Sequence, residues 1–147
     1  MHVSELDYLD AVIKETQRLT PILWLLGRQL HAPLHVGGRD LPADVMVALC
    51  VYLSHHHPEV WRNPNEFAPD RFLGKRPSPY EFFPFGGGGR YCFGAAFALY
   101  EMKIIIAEVL SHVTLRAAPG HVIRAVRRGI VFAPSTEIPV VCEALKH

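Results

Sequence analysis

The stretch Phe85-Gly86-Gly87-Gly88-Gly89-Arg90-Tyr91-Cys92-Phe93-Gly94 decides how this chain is read, because it sets one cysteine between a glycine-rich loop and a long apolar helix. Four consecutive glycines let the backbone approach a flat ligand without Cβ clashes, and they leave amide N–H groups free to face a sulfur. A helix opening near Gly94 and Ala95 brings a partial positive charge to the thiol. Both effects favour a thiolate. A coordinating metal would remove the proton outright, outweighing desolvation by Phe85 and Phe93.

Other chemistries fit this stretch less well. Glycine-rich loops leading into helices also cradle phosphates, but neither G-x-G-x-x-G nor G-x-x-x-x-G-K-[ST] is present: Gly86 to Gly89 is followed by Arg90, Tyr91 and Cys92. There is no C-x-x-C pair to run disulfide exchange. A cysteine nucleophile needs a histidine and an orienting residue, and nothing in the sequence sets a histidine against Cys92.

After the loop, Leu99, Met102, Ile106, Val109 and Val113 form one helical stripe that Ala98 and Ile105 widen, so this helix is expected to be nearly all core, with Glu101, Glu108 and His112 facing out or to polar partners. Short strands are expected in Thr114 to Ala117, around Ile123 to Ala133 and in Ile138 to Val141, with a turn at Pro119-Gly120.

Before the loop, Ser4 to Asp7 has a capping-box pattern, and Leu6, Leu9, Ile13 and Thr16 follow at helical steps, which predicts a helix from about Glu5 to Leu19, stopped by Pro21. Glu15 and Arg18 lie three apart on it. On that segment alone an exposed ion pair worth roughly 0.2 to 0.5 kcal/mol is the simpler reading. The alternative is a partly buried pair held by a third partner, because Glu15 shares its stripe with apolar residues, and Arg71 is the candidate partner. Residues 22 to 36 read as extended chain, Gly37-Gly38 as a hairpin turn, and Val45 to Tyr52 as a buried strand. His55-His56-His57 lacks the i, i+4 spacing of helical zinc motifs and is set aside as a metal site. Trp61 to Phe72 reads as an irregular connector with aromatic anchors, a length of structureless chain that usually has a purpose.

Length implies one domain able to bury a core, and 50% apolar residues are ordinary to slightly high. A net charge of +1 argues against a nucleic-acid binder. The apolar runs at 22–26 and 104–107 fall far short of the roughly 20 residues a membrane span needs, and the acidic start does not resemble a signal peptide. The three cysteines are an odd number without framework spacing, so a reduced, cytoplasmic setting is expected, with Cys50 and Cys142 as plain core residues.

Taken together, the chain resembles the C-terminal third of a cytochrome P-450, a haem-thiolate monooxygenase. Its F-x-x-G-x-R-x-C-x-G pattern is matched by Phe85, Gly88, Arg90, Cys92 and Gly94, its E-x-x-R pattern by Glu15 and Arg18, and its P-x-R-F pattern by Pro69, Arg71 and Phe72. The three occur in the family's order and the resemblance covers essentially residues 1–147. It implies an α+β C-terminal part of a mainly helical fold: the E-x-x-R helix, a small β-sheet, an irregular meander, the cysteine loop with its long helix, then short strands.

The resemblance also implies chemistry. Cys92 would be the axial ligand of a haem b iron, with Phe85, Gly86 and Gly94 around it and Arg90 and Arg28 gripping the propionates. Glu15, Arg18 and Arg71 would form a structural network on the proximal side, which reverses the segment-level preference for a surface pair. Trp24, Leu25 and Ile130 would touch an apolar small-molecule substrate. Electrons would come ultimately from NAD(P)H through a ferredoxin-like or flavoprotein donor, for which Lys75, Arg76 and Arg62 offer an acidic partner a docking surface. The family's oxygen-activating helix and N-terminal elements are expected to be missing from these residues, and the alternative reading is a truncated chain without activity of its own. Asp44 stands where the family's P-x-G turn has glycine, a small departure that Asp tolerates.

Overall fold

A computed structural model describes residues 6–146. Ser4 and Glu5 of the expected capping box lie outside the described residues. Helix α1 (Asp7–Leu19) starts at Leu6 without a side-chain cap bond and ends ahead of Pro21, where the Thr20 amide donates to the Thr16 carbonyl. Its first turn carries Asp7 and Asp10 and its last turn Arg18, the polarity that suits the helix dipole.

Among the described residues the extended segments form four separate two-stranded antiparallel ladders, where one small sheet was expected in the first half. Strand β1 (Leu25–Gln29) pairs with β4 (Met46–Cys50), and β2 (Leu34–Val36) pairs with β3 (Arg39–Leu41) across the Gly37-Gly38 turn. The run read as a strand from Val45 to Tyr52 changes type halfway. Its strand stops at Cys50, and helix α2 (Val51–His55) follows. An apolar run of that length has no period that separates strand from helix, and the turn is closed by Ser54 Oγ donating to the Cys50 carbonyl at 3.1 Å.

From His56 to Tyr91 the chain is irregular apart from two 3₁₀ turns, Pro69–Phe72 and Gly88–Arg90. Helix α3 (Ala95–His112) follows, then β5 (Val113–Ala117) paired with β8 (Val140–Leu145), and β6 (Ala125–Arg128) paired with β7 (Val131–Pro134). The apolar centre lies where the irregular segment folds on α1. Ala11, Trp61 and Phe72 are buried together, with Phe82 packed on them and ring centroids 5.0 Å apart between Phe72 and Phe82.

Helix α3 is not the core element its composition predicts. Ala95 is its one fully buried residue; Leu99, Met102 and Ile106 are half-buried, while Phe97, Tyr100, Ile104, Ile105, Val109 and Leu110 are exposed. One side packs toward α1, tied by an ion pair of Lys103 with Asp10, and no element among the described residues covers the other. That carboxyl tends upward through burial, but hydrogen bonds from Lys103 and Lys14 outweigh this and hold it below its usual value. Cys142 is exposed on β8 and Cys50 half-buried on β4, so neither is the core cysteine expected, because a two-stranded ladder leaves both faces open unless another layer packs on it.

Candidate functional site

The site begins with a salt bridge inside the protein. Glu15 and Arg18 have relative exposures of 0%, and Arg18 binds the carboxylate through Nε to Oε2 at 2.7 Å and Nη2 to Oε1 at 2.9 Å. The remaining donors of the guanidinium reach the carbonyls of His55 and Pro64, both at 2.8 Å, and of Glu66 at 3.2 Å. All five N–H groups are thereby used, and the Arg18 guanidinium lies 5.3 Å from the Trp61 ring centroid. Glu15 Oε1 also accepts from the Ala68 amide at 2.9 Å and from Arg71 Nε at 3.2 Å. Arg71 in turn donates to the carbonyls of Arg62 and Asn63. Burial pushes the Glu15 carboxyl upward, but the hydrogen bonds from Arg18 and Ala68 and the charges of Arg18 and Arg71 leave it below its ordinary value. The buried alternative, with Arg71 as third partner, is the arrangement present.

His55 closes this network from the other side. Its ring is fully buried, stacked on Phe82 with centroids 5.2 Å apart, and its Nε2 accepts the Phe83 amide at 3.0 Å. Its Nδ1 has no hydrogen-bond partner among the described residues; the carbonyls of Gln17 and Arg18 lie beside the ring without reaching hydrogen-bond geometry. Burial first, then the nearby charges of His56 and Arg18, lower its pKa to about 4, so the ring is neutral at pH 7. Sequence reasoning missed this residue by judging the three histidines only as metal ligands. The available signal was position: His55 ends an apolar run, on the side of a short helix whose other buried residue is Val51.

The cysteine loop follows directly. The Gly86 amide donates to Phe83 O at 2.9 Å and the Cys92 amide to Phe85 O at 3.0 Å, pinning both ends of the loop. Gly86 and Gly88 have φ of +77° and +61°, which side chains rarely adopt, whereas a Cβ on Gly87 or Gly89 would meet nothing within 4 Å. The loop thus needs two of its glycines for its own path and has open space beside the other two. The Cys92 side chain is exposed close to the N-terminus of α3, its sulfur makes no hydrogen bond among the described residues, and the amides of Phe93 and Gly94 donate to no backbone carbonyl. Phe85 is half-buried, and Phe93 is fully exposed.

Arg90 is exposed in the 3₁₀ turn of the loop. Arg28 is half-buried on the face of β1 that also carries Leu26, whose Cδ1 would lie 3.7 Å from a Cβ on Gly86. Neither arginine pairs with a carboxylate among the described residues; Arg28 reaches only the carbonyl of Gly27. The two stretches expected to touch substrate lie side by side: Leu23 bridges Val131, the Phe132 amide donates to Ile22 O at 2.8 Å, and the Trp24 and Phe132 rings are 6.0 Å apart. Trp24 is half-buried, Leu25 is more open, and Ile130, in the turn of the β6–β7 hairpin, is 76% exposed. A groove of about 420 Å³ runs between α1, α3 and this hairpin, and a cavity of about 340 Å³ lies between α1 and the glycine loop. Neither is lined by Cys92, Arg28 or Arg90; Cys92 and Arg90 are exposed and Arg28 is half-buried.

Asp44 adopts a φ of +66° in the turn before β4, with its amide donating to Leu30 O at 2.8 Å. Glycine is the easiest residue at that angle, and Asp is among the few others that tolerate it.

Helices, small antiparallel ladders and a buried carboxylate–guanidinium network define an α+β unit that presents one cysteine at the mouth of a helix. The chain belongs to the cytochrome P450 family, a family of monooxygenases, whose model matches residues 1–138. It is 41% identical over 128 residues to the putative cytochrome P450 135B1 of Mycobacterium tuberculosis, covering 87% of this chain and 27% of that protein. It is 40% identical over 123 residues to the taurochenodeoxycholic 6 alpha-hydroxylase of Sus scrofa, covering 82% of this chain and 24% of that one, and 39% identical over 116 residues to the cytochrome P450 3A5 of Homo sapiens, covering 78% and 23%. The chain spans about a quarter of the length of these relatives. No helix among the described residues is long and apolar enough to cross a membrane.

Proposed function

We propose that residues 1–147 are the C-terminal, haem-binding portion of a cytochrome P450 domain and that Cys92 is the axial thiolate ligand of a haem b. One observation carries this: an exposed sulfur at the N-terminal end of α3, in a loop pinned at both ends, followed by two amides without backbone partners. The donor set fits the group. A thiolate suits the iron, and two guanidiniums that pair with no carboxylate among the described residues suit two propionates through charge-assisted, bidentate hydrogen bonds. When bound, the haem supplies the oxygen chemistry of a monooxygenase.

The chain's own residues have distinct tasks. Arg28 and Arg90 would hold the propionates, and the Phe93 and Gly94 amides would lend their dipoles to the Cys92 sulfur. Phe85, Gly86 and Gly94 would border the sulfur, with Phe85 restricting water on one side. Glu15, Arg18 and Arg71 would keep the underlying segment rigid without touching the haem. Trp24, Leu25 and Ile130 would contact an apolar small-molecule substrate to be hydroxylated, a reading supported by the contact between segment 22–24 and the β6–β7 hairpin. Electrons would pass from NAD(P)H through a ferredoxin-like or flavoprotein donor, and the exposure of Arg62, Lys75 and Arg76 supports the docking of an acidic partner. The assigned setting is the cytoplasm, in keeping with three unpaired cysteines.

The test is the carbon monoxide spectrum of the reduced protein expressed with haem. A red-shifted thiolate band should appear in the parent and vanish in Cys92→Ser; its absence from the parent sinks the assignment of Cys92 as ligand.

A further inference from the structure

An unbroken series of hydrogen bonds leads from the centre of the fold to the cysteine. Arg18 holds Glu15 at 2.7 Å and the His55 carbonyl at 2.8 Å; His55 Nε2 holds the Phe83 amide at 3.0 Å; the Phe83 carbonyl holds the Gly86 amide at 2.9 Å; the Phe85 carbonyl holds the Cys92 amide at 3.0 Å. His55 is the one member that faces both ways. Its backbone belongs to the buried ion-pair network and its side chain to the entry of the loop.

The ring chemistry sharpens the point. With Nε2 accepting the Phe83 amide, a neutral imidazole carries its proton on Nδ1, beside the backbone carbonyls of Gln17 and Arg18 but short of a full hydrogen bond among the described residues. A phenyl ring would keep the stacking on Phe82 and the edge contact with Phe83 and would leave no buried ring nitrogen to satisfy. What phenyl lacks is an acceptor for the Phe83 amide.

We propose that His55 is a positioning residue for Cys92: its Nε2 fixes Phe83, and through Phe83 and Phe85 it sets where the loop presents the sulfur. The proposal rests on the reading of Cys92 as haem ligand, and its geometric part is testable without haem. His55 does not touch the reacting atoms; it acts through the backbone of residues 83–92.

The experiment compares His55→Phe, which keeps a ring and removes the acceptor, with His55→Gln, which removes the ring and keeps an acceptor near the Nε2 position. Amide hydrogen exchange is followed in the haem-free full chain at Phe83, Gly86 and Cys92, with the Ile13 and Glu15 amides of α1 as internal reference, so that general destabilisation cancels. His55→Phe should speed exchange in the loop by roughly fivefold or more relative to α1, the loss of about one net hydrogen bond, and His55→Gln should stay near the parent. With haem added, the share of the red-shifted carbon monoxide band should fall in His55→Phe and recover in His55→Gln. Loop exchange that stays at the parent level in His55→Phe, or that rises equally in α1, overturns the proposal. So does a red-shifted band equally strong in the parent and His55→Phe. A parent without that band refutes the haem reading alone, and the exchange comparison still decides the role of His55.

Discussion

Arg18 and Glu15 form a doubly hydrogen-bonded pair with no solvent exposure, and the same guanidinium ties α1 to carbonyls 37, 46 and 48 residues further along the chain. Removing one member leaves the other charge buried without its partner, at a cost of about 3–5 kcal/mol. Arg18→Met should therefore lower unfolding free energy in urea by that amount, and Arg18→Lys should recover little of it, since an ammonium has three donors for the five that are used. Arg71→Ala should cost less, about 1–3 kcal/mol, because Glu15 keeps Arg18 and the Ala68 amide.

His55 gives the fold a pH dependence with a definite sign. Its pKa is about 4 folded against 6.5 unfolded, so above pH 6.5 the ring is neutral in both states and its contribution is complete. As pH falls from 6.5 toward 4, the unfolded chain takes up a proton that the folded one refuses, and about 3 kcal/mol of stability is lost over that window. Glu15, lowered from 4.5, adds a further loss only below that pH. Urea titrations across this range should show a flatter slope between pH 6.5 and 4.5 for His55→Gln, with the steeper fall below 4.5 retained. An unchanged slope in the variant would mean that another group controls the window.

At Asp44 the backbone angle sets the outcome. A β-branched residue at φ of +66° is strained by about 1–2 kcal/mol, so Asp44→Val should lower the thermal midpoint, while Asp44→Gly should leave it close to the parent because relief of strain offsets the entropy of a more flexible unfolded chain. A melting curve of Asp44→Val coinciding with the parent would count against a left-handed conformation there.

Much of this architecture was legible because local rules decide it. The glycine loop, the start of α3 after Gly94 and the hairpin at Gly37-Gly38 each depend on residues within a few positions. What could not be read depends on distant partners. The spacing of Glu15 and Arg18 is the same for an exposed pair as for a buried one, and burial is decided by the carbonyls of His55, Pro64 and Glu66. Family resemblance corrected that preference where periodicity could not. His55 was overlooked because its partner is a backbone amide 28 residues away, which no side-chain pattern records. For α3 the error ran the other way: a helix apolar on most sides reads as core, yet among the described residues only one side is packed.

The glycine run separates what the fold needs from what a ligand needs. Gly88 has φ of +61°, so Gly88→Ala should destabilise the loop by about 1–2 kcal/mol whether or not haem is present. Gly87 is extended, with φ of −164°, and its added methyl would meet nothing within 4 Å. Gly87→Ala should therefore leave stability unchanged or raise it by about 0.4–1 kcal/mol through the unfolded state. If the loop lies against a flat cofactor, that same methyl projects into the cofactor's space, and haem retention on a desalting column should drop in Gly87→Ala while the urea midpoint of the haem-free protein does not. Equal retention by the two proteins would mean that Gly87 does not face the haem and that the open space beside it serves the chain alone.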